Sequence, residues 1–515
     1  MGELVHAVLV ANRGEIAVRI IRCCREMGIR SVAVFSDADR TMPHVTLADE
    51  AYRLGPAPSR ESYLAMDRIL DAARAASVDA IHPGYGFLAE NAEFAERVAA
   101  AGFLWVGPPA SAIRAMGDKT AARALMRSAG VPTVPGTDGP VESADEARAF
   151  CAQAGYPVLI KAAAGGGGKG MRIVRNPEEL PSLLEHARSE ARSAFGDARV
   201  YIEKYLEEPR HIEFQILADA EGNTVHLGER ECTIQRRHQK VVEETPSVFL
   251  DETLRSRMAE TAITAARACG YVNAGTIEFL VDRNRHFYFL EMNTRLQVEH
   301  PVTELRTGID LVKAQLEIAS GMPLPFRQQD ILFRGHAIEC RICAEDPLNG
   351  FLPSTGTLTR LKAPGGPGIR EDRGVEQGGE VSVYYDSLIA KLVAWGSDRE
   401  MALARMGRAL GEYVIEGVAT NIPVCEFVVH HPLFQKGTFD TGFLQAHYGL
   451  AGHSLNGERG ERDKALAILC AWVEHTRTGQ TGATGLVDGS MKAASLASSS
   501  GWKARRTAGF RDGTT

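Results

Sequence analysis

Gly275-Thr-Ile-Glu278-Phe-Leu280-Val-Asp282 and Phe287-Tyr-Phe-Leu-Glu291-Met-Asn293 are two strand-like runs separated by Arg283-Asn-Arg-His286. Two such runs around a short polar break read as a β-hairpin, and counting back from the four-residue turn sets Glu278 roughly opposite Glu291. Like charges facing each other across a ladder are unfavourable by themselves. A divalent cation removes the problem, and the hard oxygens of Glu278, Glu291 and Asn293 suit Mg²⁺ or Mn²⁺ shared with nucleotide phosphates. The alternative, a solvent-facing acidic strand, sits poorly with the apolar residues flanking both carboxylates.

Directly downstream comes Arg295-Leu-Gln297-Val298-Glu299-His300-Pro301. A carboxylate beside a guanidinium can act as a base toward a small acid while the cation holds the resulting anion. Upstream, Glu229-Arg-Glu-Cys-Thr-Ile-Gln235-Arg236-Arg237-His238-Gln239-Lys240 concentrates positive charge in one strand. It lacks aromatic interleaving, so a small-anion site is the better reading than a nucleic-acid patch. Further upstream lies Lys161-Ala-Ala-Ala-Gly165-Gly166-Gly167-Gly168-Lys169-Gly170-Met171-Arg172. Glycines let the backbone approach a ligand and aim N–H groups at phosphate oxygens, with Lys161 and Lys169 supplying charge. This is not a Walker A loop, because the G-x-x-x-x-G-K-[ST] order is missing and a strand follows. The expectation is a mobile hairpin tip over phosphates; the competing reading is a flexible surface turn.

The first 110 residues or so alternate strand and helix. Ala7–Ala11 is an apolar run, Glu15–Met27 has helical spacing and Ser31–Phe35 is strand-like, a βαβ pattern with a parallel sheet. Asn12-Arg13-Gly14-Glu15 and His82-Pro83-Gly84-Tyr85-Gly86-Phe87 follow strands, where open α/β sheets hold ligands. No G-x-G-x-x-G follows the first strand, so neither a nicotinamide nor a flavin cofactor is indicated. Asp118 caps a helix from Lys119 to about Ala129, and a small α+β unit begins near Gly130. A mixed unit from about Phe333 to Tyr448 contains the helix Arg399–Glu412. Beyond Tyr448 the chain turns rich in Gly, Ser, Thr and Ala, with one helical stretch at Lys464–Thr476, and disorder is expected there.

A chain of 515 residues is too long for one core, and its 44% hydrophobic and 24% charged content is ordinary for a globular enzyme. A net charge of -7 offers no general attraction for nucleic acid or anionic membrane. The nine cysteines lack paired spacing, which points to reduced thiols and a cytoplasmic setting. Cys340 and Cys343 have C-x-x-C spacing within a strand, where residues three apart diverge, so core packing is the better reading than a redox or metal pair. No window reaches the roughly 18 apolar residues of a membrane span, and no targeting segment is evident.

Together these segments resemble the biotin carboxylase family of ATP-grasp ligases, from about Leu4 to Tyr448. The resemblance implies an α/β and α+β chain in four parts. Residues 1–114 would form a doubly wound parallel-sheet domain and residues 115–325 an ATP-grasp domain with a mobile lid at about 131–205. Residues 333–448 would form a mixed α/β C-terminal domain, followed by the tail at 449–515. It also implies that ATP phosphorylates bicarbonate to carboxyphosphate, whose CO₂ passes to biotin. Lys119, Lys161, Gly165, Gly166, Gly167, Gly168, His211, Gln235 and His238 look like nucleotide and phosphate contacts. Glu203, Lys204, Leu206 and Leu280 look like the adenine side, and Glu278, Glu291 and Asn293 like magnesium ligands. Lys240, Arg295, Gln297 and the Val298 backbone would hold bicarbonate, with Glu299 as its base. Arg295 would also stabilise the biotin enolate, Arg341 would contact carboxyphosphate or phosphate, and Tyr85 would lie near biotin.

Cys343 stands where acetyl-CoA carboxylase members often have asparagine, and Lys169 where many have arginine, which leaves the metabolic subtype open. No Met-Lys-Met tripeptide occurs, so biotin is expected on a separate carrier protein and the carboxyltransferase on another chain. The leading expectation is a homodimeric component of an acyl-CoA carboxylase, acetyl-CoA or propionyl-CoA type, with fatty acid biosynthesis as its setting. The alternatives are the same component of a two-subunit pyruvate carboxylase, another ATP-grasp carboxylate–amine ligase, and a nucleotide-binding regulatory protein without turnover.

Overall fold

The structure is a computed structural model that describes residues 4–163 and 171–448. The glycine loop Gly165–Gly168, Lys169 and the whole tail, including its proposed helix, lie outside the described residues.

The N-terminal alternation folds into a parallel five-stranded sheet. Its strands are β1 (Ala7–Val10), β2 (Arg30–Ser36), β3 (Glu50–Gly55), β4 (Ala80–His82) and β5 (Leu104–Trp105), in the order β3-β2-β1-β4-β5. The order reverses between β1 and β4, and the two loops leaving those strands meet there: Asn12 Nδ2 donates to the carbonyls of Pro83 and Tyr85, both at 2.7 Å. Gly84 makes this approach possible, with φ of 63° and only 3.0 Å between the site of an added Cβ and Asn12 Nδ2. A switch point of this kind opens a crevice at the carboxyl ends of the strands.

Asp118 accepts from the N–H groups of Thr120 and Ala121 and so starts the helix Lys119–Ser128. A small antiparallel sheet follows, made of β6 (Val158–Ala162), β7 (Arg172–Val174) and β8 (Val200–Lys204) in the order β7-β6-β8. The helices Ala144–Ala154 and Leu180–Phe195 cover it, and Val158, Ile160, Ile202, Leu184 and Ala187 form a core of its own.

The remaining long strands form one antiparallel eight-stranded sheet. In chain order they are β9 (Arg210–Ala218), β10 (Thr224–Arg236), β11 (Gln239–Thr245), β12 (Asn273–Val281), β13 (Phe287–Asn293), β14 (His336–Cys343), then Ile369–Arg373 and Leu388–Gly396. Across the sheet the order is β13-β12-β9-β10-β11-β14, followed by Leu388–Gly396 and Ile369–Arg373. Val242 on β11 pairs with Cys340 on β14, so the sheet is continuous across the two sequence regions that look separable.

All nine residues of β9 are buried, although polar and apolar residues alternate from His211 to Ile216. Ile212, Phe214 and Ile216 enter a core with Met258 and Ala262 of the helix Glu252–Ala268. His211, Glu213 and Gln215 alternate with them and face the other way, because successive strand residues point to opposite faces. A strand with both faces buried and one of them polar must satisfy those groups internally, and the functional cleft is built from that demand.

Candidate active site

The hairpin sets Glu278 opposite Glu291 as expected, but its loop holds five residues between Val281 and Phe287 rather than four, and a bulge directly after Glu278 makes up the difference. On the other side Glu278 pairs with Glu213, and Glu213 with Arg230. Three carboxylate residues therefore stand in a row across β13, β12 and β9, on strands about 4.8 Å apart. Left alone, that row would be strongly unfavourable.

Two cations answer it from the neighbouring strands. Arg230 is fully buried; it donates to Glu213 Oε1 (2.6 Å), Gln215 (2.7 Å), Thr303 (3.0 Å) and Thr276 (3.1 Å). The Lys240 amine reaches Glu213 Oε2 at 2.5 Å, Glu278 Oε1 at 3.0 Å and Glu299 Oε1 at 2.6 Å. Glu299, wholly buried, also accepts from Arg341 at 2.8 Å, and Arg341 donates in turn to Glu243 at 2.6 Å. Positive and negative groups thus alternate from Glu243 through Arg341, Glu299 and Lys240 to the carboxylate row.

This alternation decides the protonation states. Burial disfavours an ionised Glu299, but Lys240, Arg341 and Arg230 outweigh it and hold the carboxyl well below its usual range. Glu278 is held well below as well, because Lys240 and His211 outweigh its burial. Burial also opposes the Lys240 charge, and the surrounding carboxylates raise its pKa well above the ordinary value. Glu213 has the opposite fate: burial and the nearby Glu299 charge push it up to about 7.

Glu278 is the most heavily contacted of the row. It accepts from His211 (2.6 Å), Asn293 Nδ2 (2.7 Å) and Gln297 Nε2 (2.7 Å) in addition to Lys240, and Gln235 donates to the other ring nitrogen of His211 at 2.6 Å. Glu291 is more open, with Lys119 Nζ at 3.9 Å. Two carboxylates facing each other beside a carboxamide are a donor set that fits a hard divalent cation. Between Glu213 and Glu299, by contrast, the Lys240 ammonium already fills the central position.

Arg295 forms the rim. It donates to Glu90 (2.9 Å), Asn293 Oδ1 (2.9 Å), Gln297 Oε1 (3.1 Å) and the Leu296 carbonyl (3.2 Å). A cleft of about 700 Å³ opens here, lined by Tyr85, His211, His238, Lys240, Glu278, Glu291, Asn293, Arg295, Gln297, Val298 and Arg341 of the predicted set. Glu299 lies beneath it, reached through Lys240 and Arg341.

The other predicted nucleotide residues stand apart from that lining. Lys161 on β6 pairs with Glu203 on β8 at 2.5 Å, and Arg123 joins the same carboxylate. The Lys204 amine is tied to the carbonyls of Gly155 (2.9 Å) and Tyr156 (3.1 Å). Leu206 follows β8 and is half-buried, while Leu280 is the register partner of His211. Cys340 points into the C-terminal core and Cys343 lines the cleft, so the two thiols diverge and both are free.

Three residues that complete the cluster carry no signal in the motifs, Glu213, Glu243 and Glu90, while Arg230 lies in the basic run 229–240 with nothing local to set it apart. The alternation His211-Ile-Glu213-Phe-Gln215 was the available clue to Glu213, since a polar stripe in a strand this apolar has to be buried. Nothing local points to Glu243 or Glu90, whose partners Arg341 and Arg295 lie far along the chain.

An α/β crevice, a separate lid sheet and a carboxylate–cation cluster on an antiparallel sheet define an ATP-grasp ligase. Three family models cover the chain: biotin carboxylase, N-terminal domain, over residues 4–113; carbamoyl-phosphate synthase L chain, ATP binding domain, over residues 118–327; and biotin carboxylase C-terminal domain over residues 339–446. A pyruvate carboxylase subunit of Methanothermobacter thermautotrophicus is 55% identical over 85% of this chain and 89% of its own length. The propionyl-CoA carboxylase alpha chain of Ruegeria pomeroyi is 50% identical over 87% of this chain and 69% of its own. Among solved structures, the biotin carboxylase domain dimer of Hydrogenobacter thermophilus 2-oxoglutarate carboxylase, with MgADP, ADP and bicarbonate, superposes with a TM-score of 0.83. It is 50% identical and covers 86% of this chain and 98% of that one. The chain belongs to the biotin carboxylase family of ATP-dependent ligases.

Proposed function

We propose that the chain performs the first half-reaction of a biotin-dependent carboxylase, in which bicarbonate is activated by ATP and its carbon is passed to biotin on a separate carrier protein. The observation that carries this reading is the Lys240 ammonium shared by Glu213, Glu278 and Glu299, with Arg341 on the far side of Glu299. An ionised carboxylate between two cations can accept a proton from a small acid, and the cations then face the anion that results.

A bicarbonate oxygen attacks the γ-phosphorus, ADP leaves and carboxyphosphate forms; Glu299, already ionised, takes the bicarbonate proton. Lys240, Arg295, Gln297 and the Val298 N–H hold bicarbonate, and Arg341 faces carboxyphosphate and the phosphate it leaves. Arg295 also stabilises the biotin enolate, and Tyr85 lies against biotin. Lys119, Lys161, the Gly165–Gly168 loop, His211, Gln235 and His238 hold phosphates, while Glu203, Lys204, Leu206 and Leu280 flank adenine. Glu278, Glu291 and Asn293 would hold Mg²⁺ or Mn²⁺, which supplies charge neutralisation at the phosphates.

The acceptor we favour is an acyl-CoA, bound by a carboxyltransferase on another chain, in keeping with the 50% identity to a propionyl-CoA carboxylase alpha chain. A two-subunit pyruvate carboxylase is the second reading, favoured by the 55% identity to the methanogen's pyruvate carboxylase polypeptide. Assaying the co-purifying carboxyltransferase with acetyl-CoA, propionyl-CoA and pyruvate separates them. A homodimer is proposed from the likeness to a domain dimer. A cytoplasmic setting is proposed from the cysteines, all free among the described residues. No described helix is long and apolar enough to cross a membrane.

The test is ADP release from MgATP with and without bicarbonate and free biotin. Release should require bicarbonate and rise with biotin; release indifferent to biotin but dependent on an amine would transfer the chain to the carboxylate–amine ligases.

A further inference from the structure

The segment Gln297 to His300 turns from the rim of the cleft into the helix His300–Thr307, and each of its first two carbonyls is held from behind. The Gln297 carbonyl accepts from His300 Nδ1 at 2.8 Å and from the His300 N–H at 3.3 Å. The Val298 carbonyl accepts from the Lys391 amine at 3.0 Å, and that amine also sits 3.0 Å from Glu15 and 3.7 Å from Asp372. Both side chains are completely buried.

A trans peptide is planar, with its C=O and N–H pointing in opposite directions. Drawing the Gln297 carbonyl into the body of the protein therefore turns the Val298 N–H the other way, and Val298 lines the cleft. Fixing the Val298 carbonyl fixes the next peptide, and with it the backbone from which Glu299 reaches Lys240 and Arg341.

We propose that His300 is a positioning residue for the bicarbonate step, aiming the Val298 N–H and the Glu299 carboxylate, with Lys391 as its companion on the following peptide. The proposal rests on the reading above, in which those two groups face bicarbonate. A carbonyl acceptor requires the proton on Nδ1, so the ring is the Nδ1–H tautomer. The other nitrogen has no hydrogen-bond partner among the described residues, Glu304 being 3.9 Å away and engaged with Arg19 and Arg370. Burial, with Lys391, Arg19 and Arg370 nearby, keeps the imidazole neutral by holding its pKa well below the ordinary value. One donor aimed at one carbonyl is what a fixed hinge needs, and a charged ring would be opposed by three neighbouring cations.

The experiment compares His300→Leu, which removes the donor, with His300→Asn, whose amide N–H₂ can stand in for Nδ1–H. Bicarbonate-dependent, biotin-stimulated ADP release is measured with each. With His300→Leu the KM for bicarbonate should rise about tenfold or more and kcat should fall, while the KM for ATP stays within about twofold, since small misplacement at a reacting centre is costly. With His300→Asn both should return to within about threefold of the unaltered protein. Unchanged bicarbonate kinetics in His300→Leu, or equal impairment in the two folded variants, overturns the proposal. Should His300→Leu fail to fold, ¹⁵N-imidazole spectra of the unaltered protein, assigned by the signal absent in His300→Asn, decide: an Nε2–H tautomer overturns it. Absence of biotin stimulation in the unaltered protein would instead overturn the functional reading itself.

Discussion

Lys240 and Lys161 are both lysines that meet carboxylates, yet their surroundings differ. Lys240 lies on the eight-stranded sheet and is shared by Glu213, Glu278 and Glu299, which come from three distant parts of the chain. Lys161 lies on the three-stranded lid sheet and meets Glu203 on the adjacent strand, a carboxylate that Arg123 also serves. The Lys240 side is closed by contacts that converge from β9, β12 and the turn at Glu299 on one ammonium, so its geometry is set when the eight-stranded sheet forms. The three-stranded sheet has its own core, with Arg123 of the helix Lys119–Ser128 reaching across to Glu203, so the phosphate contacts proposed there stand apart from the cluster around Glu299.

The sharpest way to break this contrast is to remove each cation. Lys240→Met removes the one ammonium shared by Glu213, Glu278 and Glu299, leaving Arg230, His211 and Arg341 as their remaining basic partners. Breaking a buried ion pair costs roughly 3–5 kcal/mol, so thermal unfolding should shift down by several degrees and turnover should fall steeply. Equal stability of Lys240→Met and the unaltered protein would remove the claim that this ammonium holds the cluster together.

A pH experiment probes the same sheet where β11 joins β14. Burial alone would raise the Glu244 pKa, but His336 at 2.7 Å and Arg399 at 2.7 Å lower it from 4.5 to about 2. The folded carboxyl binds its proton later than the unfolded one as pH falls. Its contribution is therefore full above about pH 4.5 and is lost as pH drops toward 2, on the order of 3 kcal/mol in total. Glu244→Gln should flatten this part of the stability profile in urea titrations across that window; an unchanged slope would show that the pair does not staple the two strands.

Smaller effects sharpen the division of labour. Glu299→Gln should lower turnover by about 10²-fold or more, in the range for a lost general base, while the KM for ATP stays within about threefold. Lys161→Met should do the reverse, raising the KM for ATP and costing only about 1–2 kcal/mol of stability, because Glu203 keeps Arg123. If the two substitutions affected ATP and bicarbonate kinetics alike, the two sides would not be separable.

How much of this was legible in the sequence follows the distance between partners. The pairing of Glu278 with Glu291 was readable from the two strand runs, but not the route to it: Val281 pairs with Phe287 across a five-residue loop, and only the bulge after Glu278 brings the two glutamates opposite each other. The N-terminal βαβ alternation and the Asp118 cap were likewise readable from local sequence. The pairing of β11 with β14 was not, because nothing near Val242 anticipates Cys340. With it went Glu243, the partner of Arg341, and the cation chain that fixes Glu299 in its ionised form. Lys391 was invisible for a further reason: it sits in the otherwise apolar strand Leu388–Gly396, and its purpose appears only when Glu15 and the Val298 carbonyl are brought to it.

The central claim, that this cluster delivers bicarbonate to the γ-phosphate, is tested most directly with ¹⁸O-labelled bicarbonate in the presence of MgATP and free biotin. The inorganic phosphate released should carry one ¹⁸O from bicarbonate, and the transfer should collapse with Glu299→Gln. Phosphate free of label, formed at the same rate as ADP, would contradict the claim.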